Sequence, residues 1–289
     1  MRRDPPFRRR RSFRTAAAAV PAATWEYWRQ LVTPSITGPN AIPRAARPAA
    51  SPREERLNDL VRANRMLASL DLEILDGSGH VSMRDLQNPN RYYTSRYVSP
   101  GVVKLSDIIE NDLDSQPVAA PRSDRYQERF LHGEIYRTRP DVMAVLHSHT
   151  PEFVAFSNSS VPLRPVINQG AFIGAGLPML DIRKFDPRQG IISTPALGRT
   201  VADALGKAPG LLLKGHGIAP AGPSLRELVA RAVNLRTNAR VLQQAIALRG
   251  TVTYLESEAC GACGDEDLDP GAGHSRSWEL WRNTIEVFP

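Results

Sequence analysis

Two short apolar runs constrain this chain more than any other feature. Residues 142–146 read Val-Met-Ala-Val-Leu and residues 211–213 read Leu-Leu-Leu, and each leads into histidine. Runs this short and dense fit strands buried on both faces, not long amphipathic helices. Around them, helical and extended patterns alternate through one continuous stretch, which predicts a layered α/β body. The helical signals are clear at both ends. Ser51-Pro52-Arg53-Glu54 combines an N-cap serine, a first-turn proline and a glutamate at the third position, and Leu57, Leu60, Val61, Leu67 and Leu70 follow at helical spacing. Ser224 and Glu227 form a second capping box, opening a helix to about residue 248 with Leu225, Leu228, Val229, Ala232, Leu235, Ala239 and Leu242 as its apolar stripe. A third helix is expected over 124–138, stopped before Pro140, and an extended segment over 92–98.

Charge divides the chain. Residues 1–53 hold eleven arginines against Asp4 and Glu26, a local charge of +9, so the remainder carries −2 of the overall +7. A basic face for nucleic acid is therefore not expected on the body. Residues 1–50 read as a basic, proline-, alanine- and arginine-rich solvated tail, with a short helix over 25–31, and 51–289 as the folded domain. Arg8 to Arg11 followed by Ser12-Phe13-Arg14 faintly resembles a twin-arginine export signal, but the alanine-rich, proline-broken stretch after it is a poor apolar core. The expected location is cytoplasmic. The chain holds no run of about 18 apolar residues, so no membrane partner is expected.

The chemistry lies in the histidines. His147 and His149 flank Ser148 directly after the 142–146 run. Residues i and i+2 of a strand share a face, so both imidazoles can converge on one first-row divalent metal. His216 stands between Gly215 and Gly217, just past the second run. The sequence does not by itself pair His216 with the other two. Each histidine also has a plain reading as a hydrogen-bonded core residue. In 126–136, Glu128, Leu131, His132, Ile135 and Tyr136 share one helical face. A glutamate there needs a cation or a catalytic role, or else a salt bridge to Arg125 or Arg129. Glu134 falls on another face, solvated or paired with an arginine.

Taken together and in this order, Gly77-Ser78-Gly79-His80-Val81-Ser82, residues 128–140, 142–149 and 211–217 resemble the class II aldolase/adducin-head family, over about residues 57–255. The resemblance implies a three-layer α/β/α sandwich around a largely antiparallel central sheet. It implies that His147, His149 and His216 bind a divalent metal, zinc first, with iron, manganese or cobalt as alternatives. It implies Glu128 as general acid/base and a cyclic homotetramer; a pKa lifted by burial would suit Glu128 to moving the proton. The expected activity is a metal-dependent lyase acting through a metal-stabilised enolate, by decarboxylation or retro-aldol cleavage. The same three-histidine site also suits a non-haem Fe(II) oxygenase. A non-catalytic association module of adducin type is the third reading, though adducin heads lack the metal ligands that this chain keeps.

Departures from the phosphosugar aldolases point to the substrate. There the glycine turn is followed by asparagine and the glutamate is preceded by two serines, which help hold a phosphate. Here His80 follows the turn and Tyr126-Gln127 precede Glu128. Ser78, Gly79, His80, Tyr126 and Gln127 are therefore expected to line a site for a small, non-phosphorylated carboxylated substrate, as in the decarboxylase-like branch.

Weaker signals remain. Cys260 and Cys263 form one CxxC with only His274 nearby, read as an incidental pair rather than a redox or metal site. Trp278 and Trp281 are expected to anchor a short terminal helix, and Tyr254 is a candidate for reaching a site across a subunit boundary.

Overall fold

The structure, a computed structural model, describes residues 51–69, 72–119, 124–186, 190–255 and 275–286. The expectations for the tail, for Cys260 and Cys263 and for His274 lie outside these residues.

Seven strands form one sheet: β1 (His80–Arg84), β2 (Arg91–Ser95), β3 (Ile108–Asp112), β4 (Ala144–His147), β5 (Met179–Leu180), β6 (Gly210–Leu213) and β7 (Gly217–Gly222). Their order is β3-β2-β1-β4-β7-β6-β5. Every neighbouring pair is antiparallel except β5 with β6. The central strands β1, β4, β6 and β7 are buried along their whole length, as expected for strands covered on both faces.

Strand alternation sends neighbouring side chains to opposite layers. Val81, Met83, Ala144 and Leu146 pack with α1 (Pro52–Leu67), with α5 (Leu225–Ala247) and with Trp278 of α6 (Ser275–Glu286). Val145, Leu211, Leu213 and Tyr92 pack instead with α2 (Phe130–Thr138) and α4 (Pro195–Leu205). Leu212 and Ile218 meet α3 (Pro151–Ser157) and the C-terminal half of α5. The result is the three-layer sandwich.

The capping serines behave as read: Ser51 Oγ accepts from the Glu54 amide and Ser224 Oγ from that of Glu227. The third expected helix is shorter than its pattern. Residues 127–129 form a 3-10 turn, and Glu128 sits at φ −87°, ψ 16° before α2 begins at Phe130. Glu134 is buried rather than solvated, and pairs with Arg199 at 2.8 Å. Tyr254 packs within this chain against the α3–α5 cluster, with the Arg164 guanidinium 4.5 Å from its ring centre. No helix among the described residues is long and apolar enough to cross a membrane.

Candidate metal centre

Strand β4 delivers the first histidine. His147 shares the parity of Val145, so its ring lies on the α2 side of the sheet and is fully buried. Just beyond the strand, Ser148 and Ile218 exchange backbone hydrogen bonds at 3.1 and 2.9 Å, holding the 147–149 segment beside the start of β7. His216 ends the turn between β6 and β7. Two glycines make that turn possible. Gly215 has φ +65°, which side chains rarely adopt, and a Cβ on Gly217 would run into the Ser148 carbonyl.

Glu128 approaches from the α2 layer, the side of the sheet that His147 faces. Its Oε1 accepts the Ile192 amide at 3.0 Å, which fixes the carboxylate. Its Oε2 lies 3.0 Å from His147 Nε2, 3.4 Å from His216 Nε2 and 3.9 Å from His149 Nε2. His216 Nε2 and His149 Nε2 are 3.2 Å apart. One donor atom from each of the four residues lies within 4.8 Å of the others. The salt bridge from Glu128 to Arg125 or Arg129 is absent among the described residues. The structure thus joins His216 to the other two histidines, a link the sequence alone left open.

The outer edges of two rings decide what the inner edges carry. His147 Nδ1 lies 3.1 Å from the Ile218 carbonyl oxygen, and His149 Nδ1 lies 3.1 Å from Asp76 Oδ2. A carbonyl or carboxylate oxygen only accepts, so each Nδ1 carries the hydrogen and each neutral ring turns a lone pair inward at Nε2. Two nitrogen lone pairs and a carboxylate oxygen facing one small space repel each other unless a cation lies between them. Imidazole nitrogens with one carboxylate oxygen are also an ordinary donor set for zinc. The residues present fit a divalent ion.

The titration of Glu128 corrects its expected direction. Burial alone would raise it, but positive charge on the histidine side of this space, at His147 first, holds it far below the usual carboxylate range. It rests as an acceptor, not a proton-loaded acid. His147 is pushed down by burial, against the pull of Glu128. His149 is raised: Glu128 and Asp76 outweigh its burial. His80 is driven well below its usual value, first by burial and then by the neighbouring His132 and His147 charges.

The five residues expected to line the substrate site are placed unequally. His80 is the cross-strand partner of His147, with ring centres 5.3 Å apart. The Tyr126 ring lies 4.3 Å from the His80 ring and is tilted 40° to it, but its hydroxyl is already engaged with Ser95 Oγ and the Val98 carbonyl, both at 2.9 Å. It supplies a wall, not a free polar group. Gly79 and Ser78 donate their amides to Asp76 Oδ1 at 2.7 and 3.1 Å, so those donors are turned inward to the loop's own carboxylate. Gln127 is exposed on the 3-10 turn. The sequence reading passed over Asp76, Ile192 and Ile218. Only Asp76 carried a signal, as an aspartate heading a glycine turn; the other two act through backbone atoms.

Residues 58–243 match the family model described as Class II Aldolase and Adducin N-terminal domain. The chain belongs to this class II aldolase/adducin family. Among its relatives is the decarboxylase tropJ of Talaromyces stipitatus, 29% identical over 236 residues that span 74% of this chain and 88% of that protein. Another is a 3,4-dihydroxyphthalate decarboxylase of Arthrobacter keyseri, 29% identical over 213 residues, covering 72% and 84% of the two chains. Among solved structures, an L-fuculose 1-phosphate aldolase from Glaciozyma antarctica superposes with a TM-score of 0.66 at 20% identity, over 84% of this chain and 94% of that one. That likeness establishes the class II aldolase fold.

Proposed function

We propose that this chain is a metal-dependent carbon–carbon lyase that decarboxylates a small, hydroxylated, non-phosphorylated aromatic acid. The observation that carries the reading is the convergence of His147, His149, His216 and Glu128, with ligand atoms within 4.8 Å of one another. The decarboxylase relatives favour loss of CO2 over release of an aldehyde. The same reading takes zinc as the resident ion, 51–289 as the catalytic domain, and a cytoplasmic homotetramer as the working state.

The three imidazoles would hold the ion. When bound, it would supply positive charge to the oxyanion that forms as the carbon–carbon bond breaks, a Lewis-acid effect worth several kcal/mol. The chain's own residues supply the rest. Glu128 is ionised and anchored at Oε1 by the Ile192 amide, leaving Oε2 to work as a base. Oε2 takes the proton of a substrate hydroxyl and gives it to the ring carbon bearing the carboxylate. That carbon–carbon bond then breaks, its electron pair returns through the ring to the oxygen, and CO2 leaves. Water restores the hydroxyl proton. Tyr126 and the His80 ring wall one side of this space and exclude solvent.

The test is a screen of zinc-loaded protein against hydroxylated aromatic acids and sugar acids, reading CO2, aldehyde and oxygen together. CO2 release without oxygen uptake is expected, with fuculose 1-phosphate a poor substrate. Oxygen consumption would replace the lyase with an Fe(II) oxygenase, and rapid phosphosugar cleavage would overturn the substrate class.

A further inference from the structure

Behind His147, on the same face of the sheet, runs a line of four buried polar side chains. His80 Nδ1 lies 2.7 Å from His132 Nε2, His132 Nδ1 lies 2.6 Å from Ser82 Oγ, and Ser82 Oγ lies 2.7 Å from the Tyr136 hydroxyl. None of the four is more than 1% exposed. Each link holds one hydrogen, so the line can be ordered in only two directions.

In one direction Tyr136 donates to Ser82, Ser82 donates to His132 Nδ1, and His132 Nε2 donates to His80 Nδ1. Every internal hydrogen then has an acceptor, and the one left over is on His80 Nε2. In the reverse direction the leftover hydrogen is the phenolic one of Tyr136. That hydroxyl has Ser82 Oγ and the Val145 backbone N–H as partners; the N–H can only donate, and Ser82 would already be donating to it, so neither could accept the phenolic hydrogen. A buried donor without an acceptor is expensive, so the first direction wins. It ends beside the candidate centre, where the His80 ring faces His147.

We propose that Ser82 and His132 are positioning residues that lock His80 as the Nε2–H tautomer, so that this ring presents a hydrogen-bond donor next to the metal centre. The inference rests on the lyase reading for its ligand: the group an N–H recognises there is an anionic oxygen, a carboxylate or phenolate of the substrate. A substrate offering an amine at that point is rejected, donor against donor. The line does not conduct protons from bulk water, because its far end at Tyr136 is closed in the interior. Stacking of Tyr92 on His132, 19° from parallel, helps hold the middle ring.

The test uses the full-length, zinc-loaded chain labelled with nitrogen-15 histidine, and reads tautomers by long-range proton–nitrogen correlation. His80 and His132 are both expected with protonated Nε2 and bare Nδ1. Ser82→Ala should mix the tautomers at both rings, and Ser82→Thr should restore them. If Ser82→Ala does not fold, His132→Phe removes the donor to His80 Nδ1 and frees that ring's tautomer, whereas Tyr136→Phe, which leaves Ser82 only His132 Nδ1 to donate to, should keep the lock. With 3,4-dihydroxyphthalate as the probe, Ser82→Ala and His80→Phe should weaken binding about tenfold, as loss of one hydrogen bond to a charged group does, while Ser82→Thr keeps it. A protonated Nδ1 on His80 in the unaltered chain overturns the proposal, and so does tautomer mixing that leaves binding unchanged. If the unaltered chain does not bind the probe, the substrate class fails, while the tautomer spectrum still decides the lock.

Discussion

Asp76 and His149 are joined at 3.1 Å, carboxylate to Nδ1, and the same carboxylate caps the glycine turn through the Gly79 amide at 2.7 Å. One side chain therefore ties the loop before β1 to the orientation of a candidate metal ligand. Such outer partners are worth roughly 10–100-fold in metal affinity. Asp76→Ala should weaken zinc binding by that factor, measured by competition with a chromophoric chelator, while the far-ultraviolet spectrum stays that of the folded chain.

Glu128 and His149 should separate by what each substitution removes. His149→Ala deletes a donor, so bound metal and turnover should both disappear. Glu128→Gln keeps the shape and the Ile192 anchor at Oε1 but loses the base. Metal analysis should find near-normal zinc in the glutamine variant, with CO2 release reduced by about 100-fold or more. Turnover at the unaltered rate would remove Glu128 from the chemistry.

Gly217 sets how closely β7 approaches the 147–149 segment. A Cβ there meets the Ser148 carbonyl, and His149 Cα lies 3.1 Å away. Gly217→Ala should force the His216 turn off the His147–His149 segment. Overpacking of this kind costs about 1–3 kcal/mol. The expected outcome is a lowered melting temperature together with zinc well below stoichiometric at temperatures where the protein is still folded.

Arg84 holds the C-terminal end of α2. Its guanidinium donates to the carbonyls of Val142, Pro89, Tyr136 and Arg139 at 2.9, 2.6, 2.5 and 2.8 Å. The charge also suits the negative end of the helix. Arg84→Ala strands several buried carbonyls at about 1–3 kcal/mol each, so denaturant unfolding should show a loss of at least about 3 kcal/mol. Arg84→Lys should recover only part of this, since an ammonium cannot span the four acceptors.

Much of the fold was legible because its signals are local. The caps at Ser51 and Ser224, and the apolar runs before His147 and His216, each declare an element within a few residues. The helix before Pro140 was overextended because the apolar periodicity continues back through Glu128, although the backbone turns more tightly there to present the carboxylate. Strand β7, Gly-Ile-Ala-Pro-Ala-Gly, went unread: two glycines and a proline look like a loop, and only burial between β4 and β6 makes it a strand. Helix α4 was also missed, although Thr194 before Pro195 is a start signal and does accept the Leu197 amide. At the site, histidine spacing was readable, but the partners that orient the rings were not. A backbone carbonyl at 218 or an amide at 192 carries no residue-type signature, and the His80–His132 contact joins positions 52 apart in sequence.

The claim on which the function depends is that three imidazoles meet on one ion. X-ray absorption at the zinc edge, on full-length protein loaded to one equivalent, tests it most directly. The account predicts a shell of nitrogen and oxygen near about 2.0–2.1 Å with the multiple scattering of three histidine rings, lost in part when His216 is replaced by alanine. A sulfur shell near about 2.3 Å, which would place the ion on Cys260 and Cys263, or a spectrum without histidine scattering, would contradict it.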